Sequence, residues 1–237
     1  MFAMTSRTLL TLCTAAFALA ALPASAAAQV PVGLEVDLLE VHLGQGDDHL
    51  LLDSALTLGG GANQFVLEMS GGSETRTAFD DFELVGLYLR ALSDKAALRL
   101  GVRHDLRPGS NLTHATAGLV IEPLPGLELE SMAFVSQDGD LTGAAELILS
   151  LEPAPRLSLE PRLALGWAAK AIPAEGLGSG LTDAEASLRL RHAITDSVNI
   201  YGGVVHERLL GDTRVIAEAS GEPFRVTRAV MGFGFSF

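Results

Sequence analysis

Hydrophobic residues alternate with small or polar residues through much of this chain, and the last ten residues show the pattern most simply. In "RAVMGFGFSF", Met231, Phe233, Phe235 and Phe237 occupy every second position, with glycine or serine between them. Successive side chains of a β-strand point to opposite faces, so this spacing predicts a strand with one strongly apolar face. A helix would distribute the same side chains around its axis.

The alternation recurs in segments of strand length. In "LELESMAFV" (127–135), Glu128, Glu130, Met132 and Phe134 share one face, and mainly aliphatic residues share the other. Glycine, proline, aspartate and asparagine separate these segments, as expected for turns between strands. We predict about 12 strands, near the length that a tilted strand needs to cross a membrane. They span 33–43, 49–58, 62–70, 80–92, 95–106, 113–122, 126–136, 140–151, 155–168, 181–194, 197–209 and 226–237.

Alternation alone does not distinguish a membrane barrel from a soluble sandwich. The N-terminal and C-terminal segments distinguish the two folds. The apolar run "TLLTLCTAAFALAAL" followed by "PASAAA" predicts a cleaved secretory signal peptide over 1–28. Beyond it there is no run of 18 apolar residues, yet the mean hydropathy is +0.33. We therefore predict that 29–237 forms an all-β, transmembrane, antiparallel up-and-down β-barrel. The terminal aromatic strand is typical of proteins that the outer-membrane assembly machinery recognises, here through Phe237.

The net charge of the chain limits the kinds of partner that it can bind. The formal net charge is −13, and removal of the signal peptide takes away Arg7 and no acidic residue, which leaves 15 basic and 29 acidic residues, or −14. Such a chain would repel phosphate, so nucleic acid is an unsuitable partner, whereas cations are compatible. The single cysteine, Cys13, lies in the predicted signal peptide, so no disulfide is expected in the mature protein.

If the apolar faces meet lipid, the polar faces must point into the lumen, where charges should pair or meet water. Arginines and acids share the polar parity in several segments, and we expect them to balance one another. This predicted lumen network contains Arg103, Asp105, Glu160, Arg162, Asp183, Glu185, Arg189 and Glu207, with Arg99, Arg191 and Glu146 at equivalent positions. The longest predicted loops are 169–180 and 210–225.

Four stretches resemble one family. They are "GVRHDLRPG" (101–109), "FVSQDGDL" (134–141), "GLGSGLTDAEASLRLRH" (176–192) and "YGGVVHERLLGDT" (201–213). Together, and in this order, they resemble the copper resistance protein B family. The resemblance implies an outer-membrane barrel that acts in copper tolerance, with copper as its ion and a periplasmic multicopper oxidase as a partner.

Two groups of residues are candidates for copper on that basis. Glu128, Glu130 and Met132 follow one another on the predicted inner face and would give a mixed oxygen and sulfur site, since thioether suits Cu(I). The alternative is a carboxylate pair balanced by arginine, with Met132 filling a gap. His42 and His49 flank "GQGDD" and, with Asp47 and Asp48, would collect metal at a strand end. The alternative there is an ordinary polar hairpin.

The other histidines and one methionine suggest membrane-facing roles. His104, His114, His192 and His206 fall on the lipid-side parity or near strand ends, where interfacial residues are expected. Met69 shares the parity of Phe65 and Leu67 and should face lipid. Asp138 and Asp140 flank Gly139 in a sequence typical of a tight turn rather than a calcium loop.

The sequence therefore predicts a monomeric barrel of the outer membrane of a Gram-negative bacterium, with no enzymatic activity. Family members often carry a Met- and His-rich segment between signal peptide and barrel, whereas here "AAAQVPVG" leads directly into strand-like sequence. Two functions remain open. One is a barrel that binds copper ions or passes them between periplasm and exterior. The other is a structural or general small-solute barrel that has no metal role.

Overall fold

The computed structural model describes residues 30–44, 49–73, 81–107 and 111–237. The predicted signal peptide, together with Asp47 and Asp48, lies outside the described residues. Residues 31–237 form one unit, which contains every strand.

A single antiparallel sheet contains thirteen strand segments. They are β1 (Val32–Gly44), β2 (His49–Gly60), β3 (Asn63–Ser73), β4 (Asp81–Ser93), β5 (Ala96–Leu106), β6 (Leu112–Leu124), β7 (Leu127–Ser136), β8 (Leu141–Leu149), β9 (Leu151–Ala154), β10 (Leu157–Ala168), β11 (Gly180–Ala193), β12 (Val198–Leu209) and β13 (Arg225–Ser236). Each strand pairs with its neighbours in sequence, except that β8 and β9 do not pair with each other, and β1 also pairs with β13. Because β8 and β9 both pair with β10, they are two parts of one barrel strand. The sheet is thus a closed barrel of 12 strands, which confirms the predicted fold class.

The structure differs from the sequence prediction in two elements. The predicted strand 140–151 is interrupted at Ser150. Its backbone N–H still bonds to the carbonyl of Gly126 on the β7 side at 2.7 Å, but the pairing of β8 with β10 ends at Ile148 and Arg162, next to Pro161, which has no N–H to donate. The predicted loop 210–225 contains helix α1 (Gly211–Ser220), which ends at Gly221 in the left-handed conformation with φ of 78°. Glycine and proline around this segment indicated a loop, but the helix fits between them. The other predicted loop holds one short 3₁₀ turn, Pro173–Glu175.

The two ends of the barrel have different connections. At the end where β1 begins and β13 finishes, tight turns join the strands at 61–62, 94–95, 125–126, 155–156 and 194–197. The opposite end carries the connections 169–179 and 210–224. Bacterial outer-membrane barrels have short periplasmic turns and longer extracellular loops. By that pattern we expect the short-turn end to face the periplasm and the long-loop end to face the exterior.

The outer wall is apolar. Phe65 is 62% exposed and Met231 is 55% exposed, and both belong to rows of aliphatic and aromatic side chains that point away from the lumen. Leu67 and Met69 point outward beside Phe65, as the sequence pattern predicted. In the part of the chain that the structure describes, none of the helices is sufficiently long and apolar to cross a bilayer.

Candidate functional site

The strand register identifies the residues that line the lumen, because residues paired across adjacent antiparallel strands share a face. The inward acids include Glu35, Asp37, Glu40, Asp53, Glu68, Glu83, Asp105, Glu128, Glu130, Glu146, Glu160, Asp183, Glu185 and Glu207. The inward arginines are Arg99, Arg103, Arg162, Arg189, Arg191 and Arg228. Among the described residues, inward carboxylates are therefore more than twice as numerous as inward guanidiniums, and the lumen is acidic.

Glu40 is the most deeply buried member of the lumen network. Its side chain is fully buried, and Arg189 donates two hydrogen bonds to it, from Nη2 at 2.7 Å and Nε at 3.1 Å. His42 Nε2 lies 2.7 Å from the same carboxylate, and Arg189 also bonds to Ser187 at 2.8 Å. These contacts join β1 to β11 across β12 and β13. Charge-assisted bonds of this kind are stronger than neutral ones.

A second set of ion pairs lies nearer the short-turn end. The register between β1 and β2 shifts between Val36 and Leu38, and Asp37 at this irregularity reaches the lumen. Asp37 accepts hydrogen bonds from Arg162 at 2.7 Å and from Arg191 at 2.9 Å. Glu160 pairs with the same two guanidiniums, at 2.5 Å and 3.2 Å. The two acids and two arginines thus form a closed electrostatic group.

The predicted copper residues Glu128, Glu130 and Met132 do share an inward face of β7. Glu130 accepts a hydrogen bond from Arg99 at 2.8 Å, and the other side of that guanidinium binds Glu68. Met132 packs against an apolar patch formed by Val66, Val85 and Leu87. The three residues therefore follow one another along the inner face of β7. Glu130 contacts an arginine, whereas Met132 contacts apolar side chains.

Several inward carboxylates carry no ion pair to another described residue. They are Glu35, Asp53, Glu128 and Glu185. Glu146 reaches Arg162 only at 4.0 Å, and Asp183 accepts a hydrogen bond from Thr182 at 2.7 Å. Within 30–44, 49–73, 81–107 and 111–237, no three His, Cys, Asp or Glu side chains converge closely enough to hold a metal ion. The acidic positions are therefore distributed along the lumen rather than gathered into one cage.

The long-loop end of the lumen contains a small cavity of about 130 Å³. Arg103 pairs there with Glu83 at 2.8 Å and with Asp105 at 2.7 Å. Above them, Arg107 makes a two-pronged pair with Glu175, with distances of 2.5 Å and 2.9 Å. The hydrogen bonds that Arg107 donates to Glu175 raise the pKa of the guanidinium. This pair connects the 3₁₀ turn of the connection 169–179 to the end of β5.

His114 corrects one sequence prediction, since it faces the lumen rather than lipid. It pairs in register with Arg103 and Ser136, it is buried, and its Nδ1 lies 3.9 Å from Asp105 Oδ2. His114 does lie near the start of β6, but the register with β5 and β7 turns its side chain inward, away from the membrane. His104 and His206 do point outward, and each hydrogen-bonds to a threonine on the neighbouring strand.

His42 and His49 stand opposite each other in the register of β1 and β2, with both side chains inward. Arg228 donates a hydrogen bond to His49 at 3.0 Å and pairs with Glu207 at 3.1 Å. His42 is held by Glu40, as described above. The two histidines are therefore neighbours, but each has its own protein partner.

Sequence reasoning missed seven of these lumen residues, six of them in the first four strands. They are Glu35, Asp37, Glu40, Asp53, Glu68, Glu83 and Arg228. Glu40 and His42 alternate with Leu39 and Val41 in "LEVH" (39–42), and this period was the available signal. The irregularity at Asp37 breaks the period just before it, so parity counted from the strand start gives the wrong face.

Comparison with known proteins gives one family and two relatives. The family model of the copper resistance protein B precursor matches residues 31–237. The chain is 30% identical over 201 residues to the copper resistance protein B homolog of Pseudomonas syringae pv. tomato, which covers 85% of this chain and 68% of that protein. It is 36% identical over 126 residues to copper resistance protein B of Escherichia coli, covering 52% of this chain and 41% of that protein.

Solved structures show the same architecture with little sequence identity. The KdgM porin matches with a TM-score of 0.56 at 12% identity, covering 86% of this chain and 99% of the porin. The NanC porin matches with a TM-score of 0.56 at 11% identity, covering 85% of this chain and 98% of the porin. At this level of identity the likeness concerns the barrel fold alone.

Proposed function

The chain belongs to the copper resistance protein B family, and on that premise we propose that its outer-membrane barrel binds copper ions or passes them between the periplasm and the exterior. The observation that carries the proposal is the acidic lumen, in which inward carboxylates outnumber inward arginines more than twofold. A lumen of this charge favours cations over anions.

The distribution of the acids suits passage better than tight storage. Carboxylates without an ion pair to another described residue occur at Asp53 on β2, Glu128 on β7 and Glu185 on β11. Conduction needs sites that are favourable enough for entry and weak enough for exit, and several separated carboxylates meet that need. No closed set of three ligands among the described residues would hold the ion.

Met132 is the residue that would favour copper over other cations. It is the thioether on the inner face of β7, next along that face from Glu130 and beside the apolar patch of Val66, Val85 and Leu87. Thioethers select Cu(I), whereas carboxylates and water suit harder ions such as Mg²⁺ and Ca²⁺. We therefore assign Glu128, Glu130 and Met132 to the passage, with His42 and His49 near the long-loop end as weaker contributors.

The test replaces these three residues together, as Glu128→Gln, Glu130→Gln and Met132→Leu, in a strain that depends on this barrel for copper tolerance. A matched control carries Glu218→Gln, Glu222→Gln and Met69→Leu, which change the same residue types at exposed positions of the connection 210–224 and on the outer wall. We expect the lumen variant to lose tolerance and the control to keep it. Equal tolerance in the two strains, with equal amounts of folded barrel, would remove these three residues from the function.

A second candidate is a barrel that passes small solutes without preference for copper. The observation that favours it is that most inward arginines already neutralise a nearby acid, as Arg162 and Arg191 do with Asp37 and Glu160. This candidate predicts ion conductance that does not distinguish copper from zinc. It also predicts that the Met132→Leu substitution alone leaves conductance unchanged.

A further inference from the structure

An apolar groove of about 380 Å³ runs along the outer wall over β2–β5. Its floor is Gly86, where an added Cβ would meet no other atom within 4 Å. Leu67 on β3 and Val102 on β5 pair in register with Gly86, and their side chains form the sides. The missing side chain at Gly86 therefore leaves a gap in an otherwise continuous apolar row.

The next row toward the short-turn end is aromatic. Phe65 and Tyr88 pair in register, and their rings lie 5.5 Å apart in a tilted arrangement. Leu100 completes the row on β5. Phe65 is 62% exposed, Val102 is 53% exposed and Leu67 is 48% exposed, so the groove is open to the surroundings of the barrel. In a membrane those surroundings are acyl chains.

A polar group closes the groove at the short-turn end. The amide oxygen of Asn63 accepts a hydrogen bond from the Tyr88 hydroxyl at 2.5 Å and another from Arg90 Nη1 at 2.7 Å. Arg90 is exposed on the outer face, and Asn63, the partner that the structure gives it, is neutral. Its positive charge is thus available at the membrane boundary, four residues from Gly86, or about 13 Å along the strand.

From this arrangement we infer that the groove is a specific binding site for a glycerophospholipid of the leaflet at the short-turn end. One acyl chain lies over Gly86 between Leu67 and Val102 and passes the ring of Tyr88. The phosphate meets the guanidinium of Arg90, which suits the geometry of phosphate oxygens. Tyrosine at this depth is typical of the membrane boundary, with its ring in the apolar layer and its hydroxyl in the polar one. The inference does not depend on the copper proposal.

The test is native mass spectrometry of the purified, folded barrel in mild detergent. Phosphatidylglycerol and a diacylglycerol with the same acyl chains are the two probes. The wild-type barrel should retain phosphatidylglycerol in preference to the diacylglycerol. Gly86→Leu fills the floor and should lower retention of both probes by about tenfold, the effect of losing contact with about two methylene groups.

Arg90→Gln separates the headgroup from the chain. It should lower retention of phosphatidylglycerol by about tenfold, since it removes one charge-assisted contact, and leave the diacylglycerol unchanged. The controls are Gly202→Leu, an outward glycine on β12 with room for a Cβ, and Arg156→Gln, an exposed arginine in a turn at the same end. Folding is checked by the heat-dependent gel shift of each variant. Equal retention of both probes by all folded variants would mean a non-specific lipid belt and would overturn the inference.

Discussion

Two parts of the lumen wall are built from different interactions. Where β1 meets β11–β13, buried charges face one another, and Glu40 binds both Arg189 and His42. On β3 and β4 the wall is apolar, with Val66, Val85 and Leu87 buried together. The apolar part gains free energy by burial. The charged part adds little net stability, because the cost of desolvating the charges offsets their attraction. It does, however, disfavour incorrect strand pairings, since these would leave buried charges without partners.

The comparison teaches where stability and specificity reside in this barrel. Closing the barrel requires β1 to pair with β13. The ion pairs between β1 and β11 form only when that pairing is correct. The apolar patch supplies packing without directional demands. Glu130 and Met132 lie between the two parts, since Glu130 binds Arg99 whereas Met132 packs on the patch.

The largest effect is expected from breaking the charged part. Glu40→Gln leaves Arg189 buried without its counter-charge and should lower the free energy of unfolding by about 3–5 kcal/mol. Denaturant unfolding of the barrel in lipid vesicles measures this. Glu207→Gln is the control, because its carboxylate is 42% exposed and its pair with Arg228 should be worth about 1 kcal/mol or less. Similar losses in the two variants would contradict the distinction.

The double replacement Glu40→Leu with Arg189→Leu sharpens the same point. Removing both charges should recover most of the stability lost in the single variant, because no buried charge remains unpaired. The barrel should, however, refold less uniformly, since the cue for pairing β1 with β13 is weaker. Recovery would be measured by the same unfolding curves, and uniformity by the fraction that shows the folded gel mobility.

Truncation in the apolar part should come next. Leu87 is 3% exposed, and Leu87→Ala should lower the free energy of unfolding by about 2–3 kcal/mol through lost burial and the cavity left behind. Leu100→Ala, on the outer wall and 42% exposed, should cost less because lipid can fill the space. Equal losses of unfolding free energy in Leu87→Ala and Leu100→Ala would show that the inner patch is packed no more tightly than the outer wall.

Carboxylates without ion pairs should control cation preference rather than stability. Asp53→Asn with Glu185→Gln should lower the cation-to-anion permeability ratio by a factor of about five, since a unit charge at about 4 Å in water is worth about 1 kcal/mol. Reversal potentials across a salt gradient measure the ratio. Glu218→Gln with Glu222→Gln, two exposed acids in the connection 210–224, serves as control, and an equal change there would show that the lumen acids do not set the preference.

The smallest effect concerns the long-loop end. Arg107→Gln breaks the pair with Glu175 that connects the 169–179 connection to β5. This half-buried pair at the end of the barrel is worth about 0.5–1 kcal/mol, so cleavage by trypsin after Lys170 should rise about two- to fivefold. Global unfolding should be unchanged. If the Arg107→Gln variant also loses global stability, the pair stabilises the whole barrel and not only the connection 169–179.

The fold was predictable because strand periodicity is local. The alternation in 127–135 and in 228–237 sets the face of every side chain without reference to the rest of the chain, and each strand pairs with its neighbour in sequence. The two elements that were not predicted are a helix and a strand break. In both, the residues of the segment itself indicate a different structure from the one that the surrounding chain imposes. Helix α1 lies between a glycine and a proline that indicated a loop. The interruption at Ser150 is marked mainly on the neighbouring strand, where Pro161 follows the last pair between β8 and β10.

The lumen network was only partly predictable, because parity shows which charges face inward but not which of them meet. Arg103 and Asp105 lie two residues apart, and their pairing could be expected from one strand. Arg189 and Glu40 are far apart in sequence and meet only because β13 joins β1. The inward position of Glu40 depends on the register irregularity between Val36 and Leu38, which has no clear sequence signature.

The most direct measurement of the central claim is ion uptake by the refolded wild-type barrel in liposomes, with Cu(I), Cu(II) and Zn(II) compared side by side. A lumen of distributed carboxylates with one thioether predicts uptake of copper in preference to zinc, with Cu(I) favoured through Met132. Equal uptake of copper and zinc would contradict the copper proposal and would leave a barrel that passes cations without selecting copper.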